Sequence, residues 1–190
     1  MGCDIHLYRE KFVAGKWVTA DEWKDEYGDG QDVPFEKRFT TRSYSLFAIL
    51  AGVRERETPV FKLKPRGMPI AACSEVVAAC DNYGNDGHSH SYLYLHELTE
   101  LANLLASNKQ MISGMMHREQ LKRLEASIAS RSPDWNMLFP YSQSTNAPGH
   151  IEFKVAVPAD FLVGRHLKEI IDSLTDIGGD QQRIVFWFDN

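Results

Sequence analysis

The amino-acid sequence predicts a mixed fold, α/β or α+β, in a single domain spanning residues 1–190. Three observations predict it: strand-like alternation at the N-terminus, helical periodicity in the middle, and a strand, a helix and a strand at the C-terminus. They indicate a small mixed sheet, built from an N-terminal hairpin and a C-terminal βαβ unit and packed with an amphipathic helical hairpin. A length of 190 residues without a break in composition favours one domain.

The N-terminal part is predicted to contain a β-hairpin, a long loop and a helix. Residues 3–8 alternate between apolar and polar side chains, and a turn at 14–15 leads to a second strand at 16–19. Residues 21–41 follow neither period and are expected to form a long loop with scattered aromatic residues. Ser43 is expected to cap the helix that follows. Its inward residues are Leu46, Ile49, Leu50 and Val53.

The middle of the chain is predicted to contain a basic connection followed by helices. Residues 54–69 include five basic residues and three prolines, which is typical of an extended segment. Ser74 is expected to cap a short helix, after which residues 82–87 form a turn-rich loop. The amphipathic patterns over 95–105 and 110–130 predict two helices that form a hairpin.

The C-terminal part predicts the βαβ unit. A polar loop at 140–149 precedes an alternating strand at 151–157, an amphipathic helix over 167–177 and a closing strand at 183–188. Strand, helix and strand in succession indicate a right-handed crossover between parallel strands. Because the closing strand is apolar on both faces, it is expected to be a central strand.

Composition and charge narrow the class of protein. The net charge of -5, from 26 acidic and 21 basic residues, argues against bulk binding to nucleic acid. No apolar run approaches the roughly 18 to 20 residues that span a bilayer, and the N-terminus has no export signal. We therefore expect a cytoplasmic protein without a membrane partner, whose three cysteines are reduced thiols.

Two groups of polar residues have the composition of a metal site. Asp4 and His6 share one face of the first strand, although a solvent-facing edge strand would show the same pattern. His88 and His90 point the same way if their segment is extended, whereas a polar loop is the structural alternative.

If these four side chains converge, they would bind a divalent ion such as Zn²⁺ or Mn²⁺. Asp86 or His96 would then supply a further ligand or orient one of the four. Such a site could activate water to attack a phosphoester or an amide.

A third group is basic. Arg42, Arg54 and Arg66, together with Arg56, flank the helix near residue 50 and the turn that ends the basic connection. Guanidinium groups bind phosphate through two parallel hydrogen bonds, so the three arginines are candidates for holding a phosphate-containing ligand. The alternative is a solvated surface paired with the acidic 21–36 stretch. Motifs of dinucleotide-binding proteins, NTPases, α/β-hydrolases and zincins do not occur.

Five sequence blocks are distinctive when taken together. They are Met-Gly-Cys-Asp-Ile-His at 1–6, the block 42–54 that opens Arg-Ser-Tyr-Ser-Leu-Phe-Ala, Arg-Gly-Met-Pro at 66–69, His-Ser-His-Ser at 88–91 and Val-Phe-Trp-Phe-Asp-Asn at 185–190. In this order they resemble an uncharacterised family of small proteins encoded by bacteriophages and prophages. The resemblance implies a setting, the cytoplasm of an infected host cell, and no mechanism. The matching polar positions to test are Asp4, His6, Arg42, Arg54, Arg66, His88 and His90.

Two functional hypotheses follow. The first is a metal-dependent hydrolase or phosphoesterase that acts on a phosphate-containing molecule, with the Asp and His residues as ligands and an arginine on the phosphate. The second is a non-enzymatic phage accessory protein that binds a host protein or sequesters a nucleotide, for example as an anti-defence factor. The acidic charge and the aromatic loop at 21–41 favour this second hypothesis.

Overall fold

The computed structural model describes residues 2–25, 32–55, 61–132, 148–163 and 165–189. They form a mixed α/β structure with two small antiparallel sheets, which confirms the predicted fold class. The chain divides into two compact units, Met1–Leu101 with His166–Asn190, and Ala102–Arg165. The single domain expected for residues 1–190 stays a prediction.

The described residues contain six strands and six α-helices. The strands are β1 (Asp4–Val13), β2 (Lys16–Thr19), β3 (His88–Tyr94), β4 (Lys109–His117), β5 (His150–Pro158) and β6 (Gln181–Asp189). The helices are α1 (Tyr44–Ala51), α2 (Ser74–Tyr83), α3 (Leu95–Ser107), α4 (Arg118–Ser130), α5 (Asp160–Val163) and α6 (His166–Thr175), with a 3-10 turn at Phe35–Lys37. None of these helices has the length and apolar character needed to cross a membrane.

The first unit is built on a four-stranded sheet in the order β2-β1-β6-β3. The predicted hairpin of β1 and β2 is confirmed, and β6 lies between β1 and β3 as the predicted central strand. Residues 184–188 of β6 are fully buried because both faces of the sheet are covered.

Each face of β6 packs against a helix. On one face, Trp187 and Val185 pack with Val76 of α2. On the other face, the Phe188 ring lies 5.0 Å from the Phe47 ring of α1. The apolar residues of this one strand therefore join two layers of the unit.

The helix caps agree with the sequence in one case and differ in the other. The Ser43 hydroxyl accepts a hydrogen bond from the Leu46 backbone N–H at 3.4 Å, which confirms the predicted cap of α1. The predicted Ser74 cap is wrong, since Cys73 is the N-cap of α2 and makes no side-chain capping bond.

The second unit is built on the ribbon of β4 and β5, which pair from Lys109 opposite Pro158 to His117 opposite His150. The helices α4 and α5 both pack on β5. The core residues of this unit are Ile112, Met116, Leu124, Phe153, Val157 and Phe161.

The helix predicted over 110–130 is confirmed only for its second half, and the predicted helical hairpin is wrong. Residues 109–117 form β4, and α4 begins only at Arg118, after a reciprocal cap between His117 and Gln120. The first half of the segment contains three Met residues and Gln110, which favour helices, but pairing with the β-branched and aromatic residues of β5 outweighs that preference.

The βαβ unit is also wrong. The strand at 151–157 belongs to β5 and pairs with β4, whereas β6 pairs antiparallel with β1 and β3 in the other sheet. Succession along the chain does not specify partners, so the strand, helix and strand pattern could not distinguish these arrangements. The predicted loops at 21–41 and 140–149 lie partly outside the described residues, at 26–31 and 140–147.

A buried ion pair joins β1 to β6. Glu10 is fully buried, and one of its oxygens accepts a hydrogen bond from Arg183 Nε at 2.6 Å. Its other oxygen accepts from the Cys73 backbone N–H, also at 2.6 Å. Arg183 donates to the Ala71 carbonyl at 3.1 Å, and its guanidinium lies 3.8 Å from the centre of the Trp17 ring. The pair thus connects three strands with the segment that precedes α2.

We predict that Glu10→Gln destabilises the protein by about 3–5 kcal/mol, because it leaves a buried guanidinium without its carboxylate. Urea unfolding followed by circular dichroism measures the change. The matched control is Asp172→Asn, which removes an exposed ion pair with Lys168 and should cost less than about 0.5 kcal/mol. Equal losses for the two variants would contradict the assigned role of the buried pair.

Candidate functional site

The first predicted pair, Asp4 and His6, lies on one face of β1 beside a residue that the sequence did not single out. The His6 Nε2 atom lies 3.2 Å from Asp189 Oδ2, and the Asp4 backbone N–H donates to Asp189 Oδ1 at 3.1 Å. Asp4 and Asp189 are directly opposite in the pairing of β1 with β6. Sequence reasoning missed Asp189 because only the strand register, which is non-local, brings the two ends of the chain together.

Aromatic rings hold the His6 imidazole in place. The centre of the Tyr83 ring lies 4.1 Å from that of His6, and the Trp187 ring lies 5.9 Å away. The His6 side chain is 15% exposed, so it is largely enclosed but still in contact with solvent. Its orientation is therefore fixed by packing as well as by Asp189.

Asp4 forms a bidentate ion pair with Arg42, one of the predicted phosphate-binding arginines. Arg42 donates through Nε at 2.5 Å and through Nη2 at 2.7 Å, one hydrogen bond to each carboxylate oxygen. These hydrogen bonds hold the pKa of the Asp4 carboxyl below its ordinary value. Both side chains stay accessible, Arg42 at 60% and Asp4 at 43% exposure.

The second predicted pair, His88 and His90, does not share a face. The register of β3 on β6 shifts after His88, where Ser89 has a positive φ of 55°. This β-bulge places the His88 ring against Phe188, whereas His90 stacks on Trp187, the next residue of β6, on the opposite face of the sheet. The expectation that both imidazoles point the same way is wrong. Burial lowers the pKa of His90 below its ordinary value.

The other predicted site residues lie in separate local contacts. Arg54 donates to the Gly2 carbonyl at 3.0 Å, and Arg66 forms two hydrogen bonds with Glu97, at 2.6 and 3.0 Å. The exposed Asp86 belongs to the turn after α2, and the His96 ring stacks on Tyr94 at 5.6 Å. Of the three predicted arginines, Arg42 is the one beside Asp4 and His6.

A cleft of about 340 Å³ lies beside the first half of β1. Because β2 pairs only with residues 10–13 of β1, the preceding residues 4–8 border this cleft instead. Its other wall contains Phe35, Arg38, Phe39, Thr40 and Arg42. We call it the β1 cleft.

Arg38, in the wall of the β1 cleft opposite β1, forms a second ion pair. Arg38 Nη2 lies 2.8 Å from Asp32 Oδ2, and the Tyr8 hydroxyl donates to Asp32 Oδ1 at 3.3 Å. Burial raises the pKa of the Tyr8 phenol above its ordinary value, so the hydroxyl remains a donor at neutral pH. Phe35 is 71% exposed at the edge of this wall.

The structure brings together only part of the predicted metal site. Asp4 and His6 are neighbours and are joined by Asp189, whereas the bulge separates His88 from His90. Among the described residues, no group of three or more His, Cys, Asp or Glu side chains has the arrangement of a metal site. The donors best placed for an ion are His6 Nε2 and Asp189 Oδ2, and binding of Zn²⁺ or Mn²⁺ stays a prediction.

Comparison of the chain with protein-family models, curated proteins and solved structures found no match. The geometry and charges of the β1 cleft are therefore the basis for a functional assignment.

We predict that Arg42→Gln raises the pKa of Asp4 toward the ordinary value of about 3.9, because it removes the guanidinium that stabilises the ionised form. In the wild type the folded-state pKa of Asp4 is lowered, so the Asp4–Arg42 pair stabilises the fold at pH values above the ordinary pKa. The stabilisation is lost as pH falls through the folded-state pKa. A carbon-detected NMR titration of the side-chain carboxyl measures the shift. Arg123→Gln, on the exposed face of α4, should leave the Asp4 titration unchanged.

Proposed function

We propose that this chain binds a small phosphate-containing molecule of the nucleotide class in the β1 cleft. The observation that carries the proposal is that one cleft combines two arginines with two aromatic side chains. Sites for small molecules are concave, mostly apolar, and contain a few polar groups that fix the orientation of the ligand.

The arginines supply the phosphate side of the proposed site. Arg42 already presents its Nε and Nη2 donors to a planar pair of oxygens, which is the arrangement that phosphate also accepts. Arg38 lies in the same wall, with the exposed Thr40 between the two in sequence. Both arginines and Thr40 thus line one cleft and offer it charged and neutral donors for a phosphate.

The aromatic residues supply the second side. The exposed ring of Phe35 and the half-buried ring of Phe39 both line the β1 cleft. Stacking of a base on an aromatic ring contributes about 1–3 kcal/mol, so either ring offers a surface on which a base can stack. A volume of about 340 Å³ is at the small end for ligand sites, which favours a mononucleotide over a longer chain.

This proposal corresponds to the nucleotide-sequestering form of the phage accessory hypothesis, with the cytoplasm of the infected host cell as its setting. Capture of a host protein is the other form, and the aromatic loop that favours it includes residues 26–31, outside the described part of the chain. Lowering the free concentration of a nucleotide requires binding and no chemistry, so a site of paired charges and aromatic rings is sufficient for this function.

We predict that adenosine 5′-monophosphate binds the wild type. Arg42→Gln should weaken this binding by at least about tenfold, which corresponds to about 1.4 kcal/mol. Isothermal titration calorimetry measures both affinities, with inorganic phosphate as a second probe. Phe39→Leu should weaken binding of the nucleotide but not binding of inorganic phosphate, since it removes only the stacking surface. Arg123→Gln is the control and should match the wild type. A wild type that binds neither probe at millimolar concentration would overturn the proposal.

A second candidate, phosphoester hydrolysis, is favoured by the His6–Asp189 pair. When Nε2 carries the imidazole proton, it donates to Asp189, and Nδ1 is then the basic nitrogen of the His6 ring, which lines the β1 cleft. In this candidate, His6 accepts a proton from a water molecule while the water oxygen attacks phosphorus. The P–O bond to the leaving group breaks, and the proton passes to the departing oxygen. A Zn²⁺ or Mn²⁺ ion bound through His6 and Asp189 is the metal-dependent form of the same candidate.

For this candidate we predict that wild-type protein hydrolyses p-nitrophenyl phosphate, alone or with added Zn²⁺ or Mn²⁺, and that His6→Gln reduces the rate by about 10²–10⁴-fold. Elemental analysis of both proteins tests whether a metal is bound. Calorimetry with adenosine 5′-monophosphate should show that His6→Gln still binds the nucleotide. Absence of turnover in the wild type under all three conditions would remove the candidate and leave the binding function in place.

A further inference from the structure

We infer that the outer edge of β5 is a site of self-association, at which β5 of one copy pairs antiparallel with β5 of a second copy of this chain. The two-stranded ribbon of each copy then forms half of a four-stranded sheet. The inference concerns the second unit alone and does not rest on the proposed nucleotide binding.

The hydrogen bonds of the ribbon show which backbone groups of β5 point outward. The Ala159 N–H donates to the Asn108 carbonyl at 3.0 Å, and the Arg118 N–H donates to the Gly149 carbonyl, also at 3.0 Å. These bonds lie at the two ends of the ladder, whose register is continuous between them. Hydrogen-bonded pairs alternate along an antiparallel ladder, so the odd-numbered residues of β5 direct their backbone groups to β4. The even-numbered residues direct theirs to the outer edge.

These outward groups have no partner within the part of the chain that the structure describes. They belong to His150, Glu152, Lys154 and Ala156, and none of their N–H or C=O groups forms a hydrogen bond there. Pro158, the next even-numbered residue, has no N–H to leave unsatisfied, as is typical of a proline on an edge strand. A strand edge of this length with free donors and acceptors is a template for another strand.

The outer edge of β4 is less suited to accept a strand. Its outward groups belong to odd-numbered residues, and one of them, the Met111 carbonyl, already accepts a hydrogen bond from the Gln110 side chain at 3.3 Å. Gly114 lies in the middle of β4, and a glycine weakens a strand at such a position. Because β5 contains no glycine, it is the better template.

The charges on β5 select one register for two identical strands. Glu152 and Lys154 are exposed on the face away from the core, and neither forms an ion pair with any described residue. When Phe153 lies on the twofold axis, Glu152 is directly opposite Lys154 of the second copy, and the symmetry repeats this pair. A shift of two residues, the smallest that keeps the outward groups aligned, places either Glu152 or Lys154 opposite its own copy. Opposed like charges are destabilising, so they disfavour these registers.

The apolar residues of β5 fit the same register. On the core face, Ile151 lies opposite Val155 of the second copy as a non-hydrogen-bonded pair, whose Cα atoms are about 4.5 Å apart. Both residues are half-buried within one copy, and Val155 packs against the core of the second unit. Pairing of the edges thus extends this core across two copies and adds about eight backbone hydrogen bonds. A ribbon of two strands gains stability from further strands that share an apolar face.

Sedimentation velocity of the 190-residue chain tests the inference. The wild type should be a reversible dimer with a dissociation constant of about 10–100 μM, as expected of a small interface. Lys154→Glu and Glu152→Lys each place like charges opposite one another twice, so each should weaken the dimer by at least about tenfold. Arg123→Glu, an equal change of charge on the exposed face of α4, is the control and should change the dissociation constant by less than about twofold.

Two further samples distinguish lost pairing from lost folding. The double variant Glu152→Lys/Lys154→Glu has the net charge of the wild type and restores opposite charges across the axis, so it should dimerise like the wild type. An equimolar mixture of the two single variants should form a heterodimer, because one of them has only carboxylates on this face and the other only ammonium groups. Far-ultraviolet circular dichroism confirms that each variant is folded.

Amide hydrogen exchange, measured by NMR on dilute and concentrated wild type, identifies the edge. The amides of Glu152, Lys154 and Ala156 should gain protection in the dimer, whereas the odd-numbered amides between them are protected in both states by β4.

Several results would overturn the inference. A wild type that stays monomeric at millimolar concentration contradicts it, and a dimer that tolerates Lys154→Glu forms through another surface. Failure of both the double variant and the mixture to associate would show that the assigned register is wrong. Protection of the even-numbered amides in a monomer would mean that another segment of the same chain already occupies the edge. None of these results bears on nucleotide binding in the β1 cleft.

Discussion

The buried ion pair of Glu10 and Arg183 determines the register on which the candidate site depends. These two residues face each other in the pairing of β1 with β6, and the same register places Asp4 opposite Asp189 at the far end of the strands. Side chains alternate between the two faces of a sheet, so a shift of one residue would turn His6 away from the cleft. Such a shift would also leave a carboxylate and a guanidinium buried without partners. The charged pair therefore disfavours other registers more strongly than the surrounding apolar residues can, since many apolar side chains can exchange places at low cost.

The two walls of the β1 cleft are held in different ways. On the β1 side, the aromatic rings of Trp187 and Tyr83 pack around His6 and fix it against the covered central strand. On the other side, Arg42 immediately precedes Ser43, whose hydroxyl caps α1, so the helix start fixes the backbone from which the guanidinium extends. A rigid backbone with a long exposed side chain suits a group that exchanges partners, because the anchor stays in place while the guanidinium reorients.

The sequence predicted those parts of the fold and site that depend on local pattern. Alternation along the first strand correctly placed Asp4 and His6 on one face, and the two-sided apolar character of residues 184–188 identified the central strand. The β4 strand was missed because its partner follows about 40 residues later and its own composition favours a helix. The bulge at Ser89 was missed because a positive φ at a non-glycine residue has no reliable sequence pattern, and this single backbone angle separates two histidines that simple alternation would bring together.

The charges of the β1 cleft also bear on how a ligand would be bound. A net charge of -5 gives an anion no long-range attraction, so affinity must come from short-range contacts rather than from electrostatic steering. Both cleft arginines are already paired, Arg42 with Asp4 and Arg38 with Asp32, so an entering phosphate replaces existing ion pairs instead of adding new ones. The net gain then depends on what the internal carboxylates lack, which is a second negative charge and an aromatic group to stack on Phe35 or Phe39. A ligand with only one of these features is therefore expected to bind more weakly than a nucleotide with a terminal phosphate, which has both.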